Sequence, residues 1–138
     1  MAATNLTVEL RTPEGSAFSG DAAKITRLPG ASGPMGVLSR HAPLMSSLSV
    51  GLTSVIDAAG TRWDFVTGEG FVEILDDHVL ILVDTAEDVS EVDVDRAKKA
   101  MGRARERLSK PSADMDRVRA EAALDRAMTR LQYARVGA

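Results

Sequence analysis

Arginine is the residue type whose spacing in this chain points most directly to chemistry. Arg96, Arg103 and Arg107 follow one another at +7 and +4, and Arg126 and Arg130 stand four apart. On a helix, such spacings place each set on one face. A guanidinium fork matches the paired oxygens of a carboxylate or a phosphate. Spacing alone leaves three readings open: a solvated charged face, a site for a partner's carboxylates, and a site for nucleotide phosphates. Other reactive groups are sparse. Of the two histidines, His41 follows Ser39 by two residues in a proline-flanked loop, and His78 adjoins an expected turn. Ser39 and His41 suggest a nucleophile and base, yet nothing around them resembles a nucleophile elbow. Asp76 and Asp77 could hold a cation, but a hairpin turn explains them more simply. The absence of cysteine excludes disulfides, thiolate metal sites and thiol catalysis. No phosphate-cradling glycine loop of the usual spacings is present, and Gly68-Glu69-Gly70 lies between strand-like segments, not before a helix.

These residues fall in two regions of different character. Residues 1–90 carry 5 basic and 12 acidic side chains, a net of −7, whereas residues 91–138 carry 12 and 8, a net of +4. Glycine and proline concentrate in the first region, which predicts a boundary: residues 1–88 as one domain and 89–138 as another.

The first region reads as strands. Leu6-Thr7-Val8-Glu9-Leu10 alternates apolar and polar residues, the period of a half-buried strand. Thr12-Pro13-Glu14-Gly15 turns the chain, and residues 23–28 form a second, less regular strand. Pro29 to Pro34 has loop chemistry. Residues 52–56 and 63–67 flank Asp57-Ala58-Ala59-Gly60 as one hairpin, and residues 71–75 and 78–83 flank Asp76-Asp77 as another. The last run is apolar on both faces, as expected of a central strand. Short strands with turns every eight to twelve residues indicate a sandwich or barrel. No helical pattern separates them, which excludes a parallel βαβ sheet and its dinucleotide site.

The second region reads as two helices. Ser90 or Asp93 can cap the first, and Glu91, Asp93 and Asp95 suit its positive end. Ala97, Met101, Ala104 and Leu108 form one stripe, Ala120, Leu124, Ala127, Leu131 and Ala134 a second, and Ser109 to Ser112 break the pattern between them. Heptad-like stripes across a short break predict an antiparallel hairpin. Alanine seams allow close approach but bury little apolar area, so such a hairpin is marginal by itself. Gly102, inside the first helix, costs it about 1 kcal/mol relative to alanine.

No stretch approaches 18 apolar residues, and the first five residues lack the character of a secretory leader, so no membrane insertion is expected. Nucleic-acid binding is disfavoured by the net charge of −3 and the few aromatic residues.

An ordered set of segments carries a family resemblance. These are Thr12-Pro13-Glu14, Leu28-Pro29-Gly30, Gly33-Pro34-Met35-Gly36-Val37-Leu38-Ser39-Arg40-His41-Ala42-Pro43-Leu44, Gly68-Glu69-Gly70-Phe71-Val72-Glu73 and Asp93-Val94-Asp95-Arg96-Ala97. From about Leu6 to Val136 the chain resembles the epsilon subunits of bacterial and chloroplast F-type ATP synthases, called delta in mitochondria. The resemblance implies an α+β architecture: an N-terminal antiparallel β-sandwich of about ten strands and a C-terminal two-helix hairpin. It also implies a non-catalytic subunit of the central stalk, bound to the gamma subunit and the c ring on the cytoplasmic face of the bacterial inner membrane. Such a subunit couples proton flow to ATP synthesis, and its hairpin in many members extends toward the alpha and beta subunits and restrains hydrolysis.

Some members bind ATP on the folded hairpin through Ile/Leu-Asp-x-x-Arg-Ala. Here that motif reads Val92-Asp93-Val94-Asp95-Arg96-Ala97, and the supporting arginines correspond to Arg103, Arg126 and Arg130. The resemblance therefore implies ATP as a weak regulatory ligand, with no cofactor required and no metal or catalytic residue. The same Asp93 and Arg96 could instead form only a helix-start ion pair. The resemblance also places Met35, Arg40, His41 and Leu44 in a loop facing the rotor. Ser39 and Arg40 depart from the family's usual proline and glycine or asparagine, Pro34 from its usual acidic or amide residue, and Glu69 from its paired glycines. A free-standing nucleotide-responsive binding module is the alternative reading.

Overall fold

The computed structural model describes residues 5–110 and 113–134. The expectations for the first four residues, for Pro111-Ser112 and for the chain beyond Ala134 lie outside these. The chain divides between Asp88 and Val89 into two units.

Among the described residues the first unit holds nine strands: β1 (Leu6–Thr12), β2 (Gly15–Gly30), β3 (Gly33–Val37), β4 (Leu44–Leu48), β5 (Gly51–Asp57), β6 (Arg62–Thr67), β7 (Gly70–Leu75), β8 (His78–Val83) and β9 (Ala86–Asp88). Their ladder runs β1-β8-β7-β4-β2-β5-β6-β9, with β3 beside β2 and a further β1–β2 pairing. The long β2 pairs β1 through residues 15–22 and β5 through residues 22–27, so it passes from one layer of the sandwich to the other. Every pairing is antiparallel except β1 with β8, which is parallel. β8 lies between β7 and β1, the central place its apolar composition predicts.

Period-two alternation decides what faces inward. Leu6, Val8 and Leu10 of β1, Val72 and Ile74 of β7, and Val79, Ile81 and Val83 of β8 meet Ile25, Leu28, Val37, Val55 and Phe65 in one core. Two buried threonines, Thr53 and Thr67, satisfy each other across 2.9 Å. Asp76 and Asp77 both take left-handed φ, 50° and 62°, the geometry of a two-residue hairpin turn whose twist matches the strands. At the β5–β6 turn, Asp57 accepts the Trp63 indole N–H and the backbone N–H groups of Thr61 and Ala59. The Trp63 bond, then the backbone donors, hold its carboxyl below the usual carboxylate range.

One expectation needs correction, and one strand is new. Residues 29–34 are largely strand: Pro29 pairs with Pro34 and Gly30 with Gly33 across a turn of only Ala31 and Ser32. Proline is tolerated there because the pair sits at a ladder end and gives up only N–H donors. Residues 44–48, to which the sequence pattern assigns no element, form β4 and pair with β7.

The second unit holds a single 3₁₀ turn over Val89–Glu91, then α1 (Val94–Leu108) and α2 (Asp114–Tyr133). The helices pack on each other across the short connection, so α2 returns antiparallel to α1. Ala97, Ala104, Ala120 and Ala127 are buried, while Met101, Leu108, Leu124 and Leu131 are half-buried. Gly102 is exposed, with open space where a Cβ would stand.

Candidate functional site

The helical unit carries the first candidate surface. Asp93 sits in extended conformation ahead of α1, and its Oδ1 accepts the Arg96 backbone N–H at 3.0 Å. The carboxylate thus caps the helix. The ion pair between the Asp93 and Arg96 side chains is not among the salt bridges of the described residues.

Arg96, Arg103 and Arg107 each immediately precede a stripe residue on α1, namely Ala97, Ala104 and Leu108. Arg126 and Arg130 do the same before Ala127 and Leu131 on α2. One residue is a step of about 100° around a helix. In an antiparallel pair, equal steps from the facing seam fall on the same side, so all five arginines line one flank of the hairpin. Arg119, which precedes buried Ala120, joins them; its signal was present in the sequence as an arginine before another stripe residue. Height along the hairpin separates the set. Arg96 lies twelve residues before the end of α1 and Arg126 twelve after the start of α2, at the same level. Asp93 and Arg130 lie near that level, whereas Arg103 is about 10 Å nearer the connection at 1.5 Å per residue. Arg126 and Arg130 are half-buried, and the α1 arginines are exposed.

The second candidate is the segment between β3 and β4. Its four expected site residues do not act alike. Met35 lies within β3 and Leu44 opens β4, and both pack against the core. Arg40 and His41 occupy the loop proper. Arg40 has a left-handed φ of 66°, and its N–H donates to Asp77 Oδ1. The His41 N–H donates to the Leu38 carbonyl at 3.2 Å. His41 Nδ1 lies 2.6 Å from the Ala42 carbonyl, the arrangement of a protonated Nδ1 donating to it. The ring orders its own loop, and no group of three metal-ligating side chains occurs among the described residues.

Sequence reasoning missed the surface beside this loop. The outward positions of β4 and β7 include Met45, Phe71 and Leu75, all exposed, with half-buried Leu80 and Leu82 continuing onto β8. Register joins them: Phe71 lies opposite Leu82, and Glu73 opposite both Met45 and Leu80. At one end an open groove of about 430 Å³ runs past Arg11, Pro13, Phe71 and Leu82. Leu38 and Met45 are 63% and 68% exposed. These apolar side chains flank the exposed Glu73 on one face, a grouping that marks an interaction surface. The apolar-both-faces run at residues 78–83 was its one sequence signal; that Met45 and Phe71 join it depends on pairing.

Residues 5–89 match the family model for the beta-sandwich domain of the ATP synthase delta/epsilon chain, and residues 90–135 match that for its long alpha-helix domain. The ATP synthase epsilon chain of Ruminiclostridium cellulolyticum is 44% identical over 124 residues, 90% of this chain and 91% of that one. The chain of the same name from Shouchella clausii is 41% identical, covering 93% of each. Among solved structures, a chain of the Euglena gracilis mitochondrial ATP synthase, OSCP/F1/c-ring assembly, superimposes with a TM-score of 0.80 at 24% identity, over 99% of this chain and 83% of that one. A chain of the Tetrahymena thermophila mitochondrial ATP synthase central stalk and c ring does so with a TM-score of 0.70 at 16% identity, over 97% and 99%. At these identities the structural likeness concerns the fold.

Proposed function

The chain belongs to the ATP synthase delta/epsilon family, and from that membership we propose that it is a non-catalytic rotor subunit of the central stalk. The β-unit binds the gamma subunit and reaches the c ring, coupling proton flow to ATP synthesis. The observation that carries this reading is the exposed apolar face of β4, β7 and β8, with the Arg40–His41 loop at its rim. A partner that buries this face gains apolar contact on a rigid scaffold and has little ordering entropy to offset. No helix among the described residues is long and apolar enough to cross a membrane. Attachment to the cytoplasmic face of the membrane then comes through partners. Copurification tests the assembly: the chain expressed in its host is expected to comigrate with a gamma-type subunit, and migration alone would overturn the rotor reading.

The helical unit supplies regulation. Its one-sided arginine flank suits carboxylates of the alpha and beta subunits when the hairpin leaves its resting packing, and suits phosphates when it stays folded. ATP is then a weak ligand held at the level of Asp93, Arg96, Arg126 and Arg130, and it shifts the hairpin only by binding one state better than the other. Calorimetry is expected to show weak ATP binding that Arg126→Ala or Arg96→Ala abolishes; equal binding by both variants would place the site elsewhere. ATP hydrolysis by the assembled complex with and without residues 91–138 reads the regulatory role directly. The same flank favours, as a second reading, a nucleotide-responsive binding module acting outside the synthase. ATP binding without comigration is its signature.

A further inference from the structure

Asp77 ties three separate segments together. Its carbonyl accepts the Thr7 N–H at 2.8 Å, at the start of β1. Its carboxylate accepts the Arg40 N–H at 2.6 Å, in the β3–β4 loop thirty-seven residues away in sequence. It also forms the second position of the β7–β8 turn. Arg40 needs such an anchor. A left-handed φ is uncommon for a residue with a long side chain and is held only where its surroundings determine it. A carboxylate accepting a backbone N–H is a charge-assisted bond, stronger than a neutral one. The place of this bond matters as much as its strength. Leu75, exposed, immediately precedes the turn, and Leu38, exposed, opens the loop in which Arg40 lies. The bond therefore fixes the rim of the apolar face against its end.

We propose that Asp77 is a positioning residue for docking on the gamma subunit: its carboxylate latches the Arg40 backbone so that the loop is already ordered when that subunit covers the apolar face. The inference rests on the rotor reading above. With the latch intact, the partner meets a formed rim. Without it, the loop must be ordered on binding, and affinity falls by that cost.

The test compares full-length variants for binding to F1 complex stripped of this chain, alongside amide exchange at Arg40. Asp77→Gly suits the left-handed turn and removes only the carboxylate. It is expected to weaken binding about tenfold and to speed Arg40 amide exchange at least tenfold. Asp77→Asn, which keeps an acceptor oxygen, stays within about twofold of wild type. Adding Arg40→Gly to Asp77→Gly restores affinity to within about twofold, because glycine takes the left-handed backbone unaided. Asp77→Gly binding like wild type, Asp77→Asn binding as weakly as Asp77→Gly, or failure of the double variant to recover each overturns the latch. Wild type failing to bind the stripped complex overturns the rotor reading instead, and Arg40 exchange then still reports whether the latch exists.

Discussion

The two units of this chain are held by different means. The β-unit's core interdigitates Leu, Ile, Val and Phe from two layers, and its strands are tied by partners distant in sequence. The helical unit is local in sequence and buries four alanines along its seam, with larger side chains only half covered. Each alanine removes a fraction of the apolar area that a buried leucine removes. The β-unit has the makings of a rigid scaffold that presents a surface. The hairpin has a packing that another partner can compete with. The arginine flank and the apolar face accordingly call on different physics: charge on an adaptable element, shape on a fixed one.

The chain contains a probe for each region, since its one tryptophan lies in β6 and helical ellipticity reports α1 and α2. The largest expected effect is from Ile81→Ala, which empties a fully buried site on the central strand. It should cost the β-unit about 2–5 kcal/mol, read as an earlier Trp63 fluorescence transition. If helical ellipticity moves by the same amount, the units unfold as one and the contrast between them fails. Ala127→Leu overfills the seam and should destabilise the hairpin by about 1–3 kcal/mol, with the Trp63 transition unmoved. A neutral or stabilising result would mean that the seam is looser than four buried alanines imply. Asp93→Ala removes the cap on α1 and should cost about 1 kcal/mol of helix stability, measured by ellipticity on heating. Asp93→Ser should recover most of it. Gly102→Ala is the smallest change and has the opposite sign. With open space at its Cβ position, it should stabilise α1 by about 0.5–1 kcal/mol. Loss of stability there would show that the glycine is needed for a close approach not visible in the folded hairpin.

Legibility followed range. Strands with clean alternation, such as residues 6–10, and hairpins closed by two residues, such as Asp76-Asp77, were readable because their signals are local. The helical stripes and the Asp93 cap were readable for the same reason. Residues 29–34 were not: proline and glycine suggest a loop, and only the neighbouring strand makes Pro29 and Pro34 an extended pair. β4 was missed because Leu44-Met45-Ser46-Ser47-Leu48 lacks a clear period and is recruited by β7. In the candidate site, the arginine spacings were visible, but their common flank needed the antiparallel return of α2. Met35 and Leu44 were marked for the rotor loop by motif alone, and only the fold shows that each, half-buried, also packs against the core.

The sequence by itself determined the two-part architecture, the charge division, the helix stripes and the family, because each rests on composition or on residues close in the chain. The tertiary structure decided which apolar residues stay exposed, which arginines share a flank, and that Asp77 anchors Arg40 across thirty-seven residues. Those depend on register and on pairing between distant segments, where one residue of slip would reverse every side chain's face.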